Sequence, residues 1–147
     1  MIFQTDPEFA KYPAIRHGAC YFLSILHAMA GCFSLPFDHE SVLEFYEREL
    51  VDGDTDVDNE LYVGDPQNLI DDFAGKGKAL FLGVRSAYYI CQSGEVEWGV
   101  WHRPMTDFNH FVHGDGKGGV LYDPWSADGS ESVRSGHLIS KRIARIL

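Results

Sequence analysis

His17-Gly18-Ala19-Cys20-Tyr21-Phe22-Leu23-Ser24-Ile25-Leu26-His27-Ala28-Met29-Ala30-Gly31 is the stretch whose reading decides the fold. Apolar residues at Phe22, Leu23, Ile25, Leu26 and Met29 wrap most of a helical surface, which predicts a helix packed inside the protein. Gly18 marks its start and Gly31 its end, so the expected helix covers residues 19–30. Cys20 then falls in the first turn, where unpaired backbone N–H groups and the positive end of the helix dipole favour thiolate over thiol. A nucleophilic cysteine belongs in such a place. The alternative is an ordinary buried thiol, since free cysteine is among the most buried residue types.

Upstream of this helix, residues 1–17 read as an irregular lead-in. Pro7 and Pro13 are expected to break any helix there, and Phe3, Phe9, Tyr12 and Ile15 to pack on the core. Downstream, Asp38 is a good N-cap for a second helix with Val42, Leu43, Tyr46 and Leu50 inward and Glu40, Glu44, Glu47 and Arg48 in water. Asp65-Pro66 opens a third in the favoured order of N-cap then proline, with Leu69, Ile70 and Phe73 inward and Gly75 closing it.

Between the last two lies Asp52-Gly53-Asp54-Thr55-Asp56-Val57-Asp58, with carboxylates at every second position. Counted as a calcium loop from Asp52, it has Val57 where glycine is needed and Val63 where a bidentate glutamate is needed. An acidic turn is the better reading.

From Lys78 onward the period changes from helical to alternating, and strands can be read. They are expected at residues 78–84, 87–91, 96–103, 108–114, 119–122 and 139–146, the second of these being the weakest. Val96, Trp98, Val100 and His102 alternate against Glu97, Gly99, Trp101 and Arg103, and Pro104 ends that strand. Ile139, Ile143 and Ile146 are the expected core residues of the last. Asp115-Gly116-Lys117-Gly118 turns a hairpin and is not a phosphate cradle, because it leads into a strand and not into a helix.

The chain of 147 residues is long enough for one domain with a real core, taken here as residues 1–147. Twenty-two acids against twelve bases, a net charge of −10, argue against a nucleic-acid partner and against an anionic membrane surface. The N-terminal residues lack the apolar core of a signal peptide, and the longest apolar run is shorter than the roughly 20 residues that span a bilayer. Three cysteines without a spacing pattern do not make a disulfide framework and fit a reducing cytoplasm. No cofactor is called for by any motif.

Asn109-His110-Phe111-Val112-His113 and Tyr122-Asp123-Pro124-Trp125 sit on the two arms of the hairpin. Register alone can bring a histidine and an aspartate on neighbouring antiparallel strands within hydrogen-bond reach. If the first helix packs on the sheet, His110 can take the Cys20 thiol proton while Asp123 fixes the imidazole tautomer. A metal held by His110, His113 and Asp115 is the rival reading. Residues three apart on a strand point to opposite faces, so that set diverges and no metal is expected.

A cysteine opening a hydrophobic helix, then His-Phe-Val on a strand, a glycine-rich hairpin and a strand ending in Asp-Pro resembles the papain-like cysteine peptidases. The nearest likeness is to the branch of bacteriocin leader-processing peptidases. Ser130-Glu131-Ser132-Val133-Arg134-Ser135-Gly136 with Arg142-Ile143 is similar to small phage-associated domains of that type. The resemblance implies Cys20 as nucleophile, His110 as general base and Asp123 as orienter, acting on a peptide or protein substrate. In that family a glutamine six residues before the cysteine usually donates a hydrogen bond to the oxyanion; here Ala14 stands there. Arg16, His17 or Tyr12 are the candidate substitutes, and Gln4 could fold back. The family also commonly has glycine after the cysteine, where this chain has Tyr21.

These readings converge on an α+β domain, helices of the first half packed on an antiparallel sheet of the second, with a Cys-His-Asp site at the junction. Hydrolysis of a peptide or amide bond is the expected activity. The alternative is an inactive papain-like domain that binds protein through an aromatic surface supplied by Trp98, Trp101 and Trp125.

Overall fold

In the computed structural model, which describes residues 1–52 and 61–147, two helices meet end to end at Ala19. They are α1 (Pro13–Gly18) and α2 (Cys20–Phe33). Pro13 therefore begins a helix where it was expected to prevent one. At N1 its missing N–H would have had no intrahelical partner, and its fixed φ already suits the helix. A short 3-10 turn at Pro7–Phe9 precedes it. The α2 helix starts where expected but runs through Gly31, which is tolerated inside it, and stops where Ser34 takes a left-handed φ of 54°.

Phe22, Leu23, Ile25, Leu26 and Met29 of α2 are all fully buried. Helix α3 (His39–Asp52) is capped by Asp38, whose Oδ1 accepts the Ser41 N–H at 2.8 Å. Helix α4 (Pro66–Ala74) is capped by Asp65, whose side chain accepts the Asn68 N–H. The buried stripe of α3 centres on Val42, Phe45 and Tyr46, with Leu43 and Leu50 at its margin. Phe45 lies between Phe22 of α2 and Phe73 of α4, at ring distances of 6.0 and 5.0 Å, so one aromatic column joins three helices. The acidic run expected to turn after α3 lies, from residue 53 on, outside the described residues.

The strands are β1 (Ala79–Ser86), β2 (Glu95–His102), β3 (Asn109–Gly114), β4 (Val120–Tyr122) and β5 (His137–Ile146), with a short helix α5 (Glu131–Ser135) before the last. They form one antiparallel sheet in the order β1-β5-β2-β3-β4. The fold is thus α+β, helices from the first half and sheet from the second.

Two strand expectations are corrected. Residues 87–91 leave the sheet: the Tyr89 N–H bonds the Ser86 carbonyl in a turn, and the Cys91 N–H bonds Gly116 of the hairpin. Ile139 is exposed at the end of β5. This central strand buries Lys141, Ile143 and Ala144 instead.

Two tethers fix α2 on the sheet. Trp98 of β2, fully buried, donates its indole N–H to the Ser24 carbonyl at 2.9 Å, and the Ser24 hydroxyl donates to the Phe111 carbonyl of β3 at 3.3 Å. On the opposite face Lys141 and Glu97 form a fully buried ion pair at 2.9 Å, and the ammonium also donates to the Tyr89 carbonyl. Gly136 lets α5 lie close to β2, because a Cβ there would collide with the carbonyl oxygens of His102 and Ser132. Among the described residues no helix is long and apolar enough to cross a membrane.

Candidate active site

Strand β3 carries His110, and Asp123 follows directly after β4 at the edge of the sheet. His110 Nε2 lies 2.6 Å from Asp123 Oδ1. The same oxygen accepts the Trp125 N–H, while Oδ2 accepts the Ser130 N–H at 2.9 Å and the Ser130 hydroxyl at 2.7 Å. Burial works against charge on this carboxylate. His110, Ser130 and Trp125 more than offset that and hold it below the ordinary carboxylate range.

Cys20 opens α2, half-buried, with its sulfur near enough to the His110 ring to act on the ring's charge. Since Nε2 is committed to Asp123, Nδ1 is the ring nitrogen left for the sulfur. Burial disfavours the imidazolium. Asp123, through its hydrogen bond, and the nearby Cys20 outweigh it and lift His110 to about 9, so the ring holds a proton at neutral pH. The structure thus joins His110 to Asp123 and places Cys20 beside the ring.

A cavity lies on each side of the pair. One, of about 480 Å³, is lined by Cys20, Tyr21, Asn109 and Phe111 among others. The other, of about 300 Å³, is lined by His110, Phe108 and Trp125 among others. Alternation along β3 accounts for the division: Asn109 and Phe111 belong to the side of α2, and His110 between them to the side of α5.

Of the oxyanion candidates, Tyr12 directs its hydroxyl to Glu47 at 3.2 Å. Neither Arg16 nor His17 lines either cavity. Gln4 does fold back, and is buried, but its amide N–H groups are spent on the Ile15 and Arg16 carbonyls at the end of α1. The donors that remain beside Cys20 are backbone N–H groups at the start of α2.

Gln4 serves the site in another way. Its backbone N–H bonds Pro124 O at 2.7 Å, and the Thr5 N–H bonds Trp125 O, so residues 4 and 5 join the Asp123 loop to the helix that leads into Cys20.

The metal set does not converge. His113 pairs with His27 across 2.8 Å, and Asp115 accepts the N–H groups of Lys117 and Gly119 within the hairpin. Among the described residues the grouping of metal-ligating types is Asp6, Glu8 and His39, in which His39 Nε2 meets both carboxylates, at 2.8 and 2.9 Å.

Cys32, near the end of α2, is exposed. One further expectation is corrected. The three tryptophans do not form one surface: Trp98 is core, Trp101 half-buried, and Trp125 alone of them is exposed. Sequence reading missed Ser130 as the partner of Asp123. Its place as the N-cap of α5, with its hydroxyl accepting the Val133 N–H, was the available signal.

The fold and site together describe an α+β protein with a bonded histidine and aspartate, and a cysteine near the histidine, beside two cavities. Residues 2–146 match the model of a family described as "Protein of unknown function, DUF261", and the chain belongs to that family. No curated protein and no solved structure matches it.

Proposed function

We propose that this chain is a papain-like cysteine peptidase or amidase. The observation that carries the reading is the buried His110–Asp123 pair at 2.6 Å with Cys20 beside the ring, the carboxylate's remaining acceptor positions being filled by Ser130 and Trp125. A residue that merely terminates a helix has no need of a buried, fully partnered imidazole beside it.

The chemistry follows from those contacts. Cys20 sulfur, having given its proton to His110, attacks the carbonyl carbon, and the C=O electron pair moves onto oxygen beside the N–H groups at the start of α2. As the pair returns, the C–N bond breaks and His110 gives its proton to the departing amine. A water then attacks the thioester, His110 takes its proton, and the acid leaves with the thiol restored. Asp123 keeps the ring oriented throughout and stabilises its positive form.

Ala14 in place of a side-chain oxyanion donor points to slow turnover, since one such donor is worth about a hundredfold to a thousandfold. That feature, with Trp125 exposed beside His110, is what favours the second reading, an inactive domain that binds protein. Both readings take a peptide or protein partner, neither a nucleic acid nor a membrane, and a nucleophilic thiol suits a reducing cytoplasm.

The test uses p-nitrophenyl acetate, whose activated carbonyl needs little oxyanion stabilisation. One acetyl group per chain should be found on Cys20 by peptide mass mapping, with p-nitrophenolate released as the thioester forms. Cys20→Ala should abolish the burst and His110→Ala should slow it at least tenfold. Acetylation spread over Cys20 and Cys32 alike, or insensitive to His110, rejects the enzyme.

A further inference from the structure

The cavity on the Cys20 side has a chemical character of its own. Its walls are largely apolar, with the rings of Tyr21, Tyr62, Phe81 and Phe111, and among the described residues the one charged side chain lining it is Arg142 of β5. Arg142 stands there because of register: it pairs with Trp98 of β2 and so projects to the side of the sheet that α2 covers.

Its guanidinium lies 5.5 Å over the Phe111 ring, and one nitrogen donates to the Ser140 hydroxyl at 2.7 Å. Among the described residues no carboxylate lies within ion-pair distance of it. A guanidinium has five N–H donors in a fixed fork, so most of its hydrogen-bonding capacity remains. The contrast with the rest of the molecule is sharp, because acids outnumber bases by twenty-two to twelve. Acids abound in this chain, yet among the described residues none pairs with the half-buried arginine beside Cys20.

The cavity on the His110 side differs. There Glu131 pairs with Arg134 at 3.2 Å, and Arg134 also donates to the Asp128 carbonyl, so that arginine is already partnered.

We propose that the Cys20-side cavity recognises a carboxylate on the peptide it binds, with Arg142 as the specificity-determining residue and the aromatic walls covering the adjoining apolar stem. The inference names the substrate class for the site proposed above and rests on that reading for its chemistry, though not for its binding. The carboxylate can come from an acidic side chain or from the peptide's own C-terminus. Either would meet the guanidinium fork in a partly desolvated setting, where a charge-assisted hydrogen bond is stronger than a neutral one.

The experiment measures binding to the full-length Cys20→Ala chain, so that it does not depend on turnover. Peptides of sequence Ala-Leu-X-Gly-Ala, capped at both ends, carry glutamate, glutamine or lysine at X. A fourth, with glutamine at X, has an open C-terminus. Titration should show the glutamate peptide or the open-ended peptide binding at least tenfold tighter than the capped glutamine peptide, and which of the two does so identifies the source of the carboxylate. Adding Arg142→Glu should abolish that preference and favour lysine, while Arg142→Gln should leave the three capped peptides equal. A chain that binds all four alike, or one whose preference survives Arg142→Glu, overturns the proposal. That failure is distinct from failure of the acetylation test: a chain can acylate Cys20 without preferring acids, or prefer acids without acylating.

Discussion

His110 Nε2 and Asp123 Oδ1 stand 2.6 Å apart, both buried, with Ser130 closing the far side of the carboxylate. Of the single interactions that raise His110 against the opposing effect of burial, the hydrogen bond to Asp123 is the largest. Asp123→Ala should therefore lower the His110 pKa from about 9 by roughly one pH unit or more, each unit corresponding to about 1.4 kcal/mol. Titration of the His110 ring signals by NMR reads this directly. An unchanged midpoint would mean that Cys20 alone governs the ring.

Ser130 has two partners in opposite directions, since its hydroxyl donates to Asp123 Oδ2 and accepts the Val133 N–H. Ser130→Ala should cost about 1 kcal/mol as a lost N-cap. It should also lower the His110 midpoint, which a cap alone would not do. Ser130→Thr should restore both. Chemical denaturation and the same NMR titration separate the two effects.

The parts of this fold that were legible in the sequence are those written in local patterns. The α2 stripe, the Asp38 and Asp65 caps and the alternation of β2 each depend on near neighbours, and they led to Cys20 at a helix start and His110 and Asp123 on a hairpin. What was not legible depends on contacts between distant segments. Pro13 begins a helix and Gly31 continues one because each satisfies a local rule that permits both outcomes, and packing chose. Residues 87–91 have strand composition but find no strand to pair with, because the last strand, β5, takes the place beside β1. Gln4 and Ser130 were invisible as supports of the site for the same reason: their partners in it are Pro124 and Asp123.

The pH dependence of stability should have two limbs. His110 is raised from 6.5 to about 9, so its contribution is fully present below 6.5 and is lost as pH rises through about 9. His113 is depressed from 6.5 to about 4, by burial and then by the neighbouring His27, with which it pairs across 2.8 Å. Between those values the unfolded chain binds the proton and the folded one does not, so stability falls as pH drops from 6.5 toward 4. Urea unfolding across this range should show a maximum near pH 6.5. His113→Gln should flatten the acid limb and His110→Gln the alkaline one.

Lys141 and Glu97 are a buried pair whose separation removes the only cation beside a carboxylate 1% exposed. Lys141→Met should destabilise the fold by about 3–5 kcal/mol, because the remaining Glu97 charge has no solvent to turn to. Adding Glu97→Leu should recover most of that loss. Urea midpoints of the two variants measure it, and a single variant as stable as the parent would show that water reaches Glu97.

Cys20, Cys32 and Cys91 offer an internal comparison of three thiols in one chain. Cys32 is exposed, yet partial burial of its sulfur keeps its pKa above the ordinary thiol value. Cys91 is pushed up to about 12, by burial first and then by Glu97, whose carboxylate its sulfur touches at 3.6 Å. Cys20 lies beside the His110 imidazole at the start of a helix, where a base stands ready for its proton. Iodoacetamide at pH 6 should therefore label Cys20 at least tenfold faster than exposed Cys32, although accessibility alone would predict the reverse, and should leave Cys91 untouched. His110→Ala should move the onset of Cys20 labelling to higher pH while circular dichroism remains that of the folded protein. Gln4→Ala, which loosens the end of α1 without touching the sulfur, should slow the labelling less than His110→Ala does. Mass spectrometry of the alkylated peptides gives all of these rates in one series. If Cys32 reacts first at pH 6, the imidazole beside Cys20 does not activate its sulfur, and the site is one for binding rather than for attack.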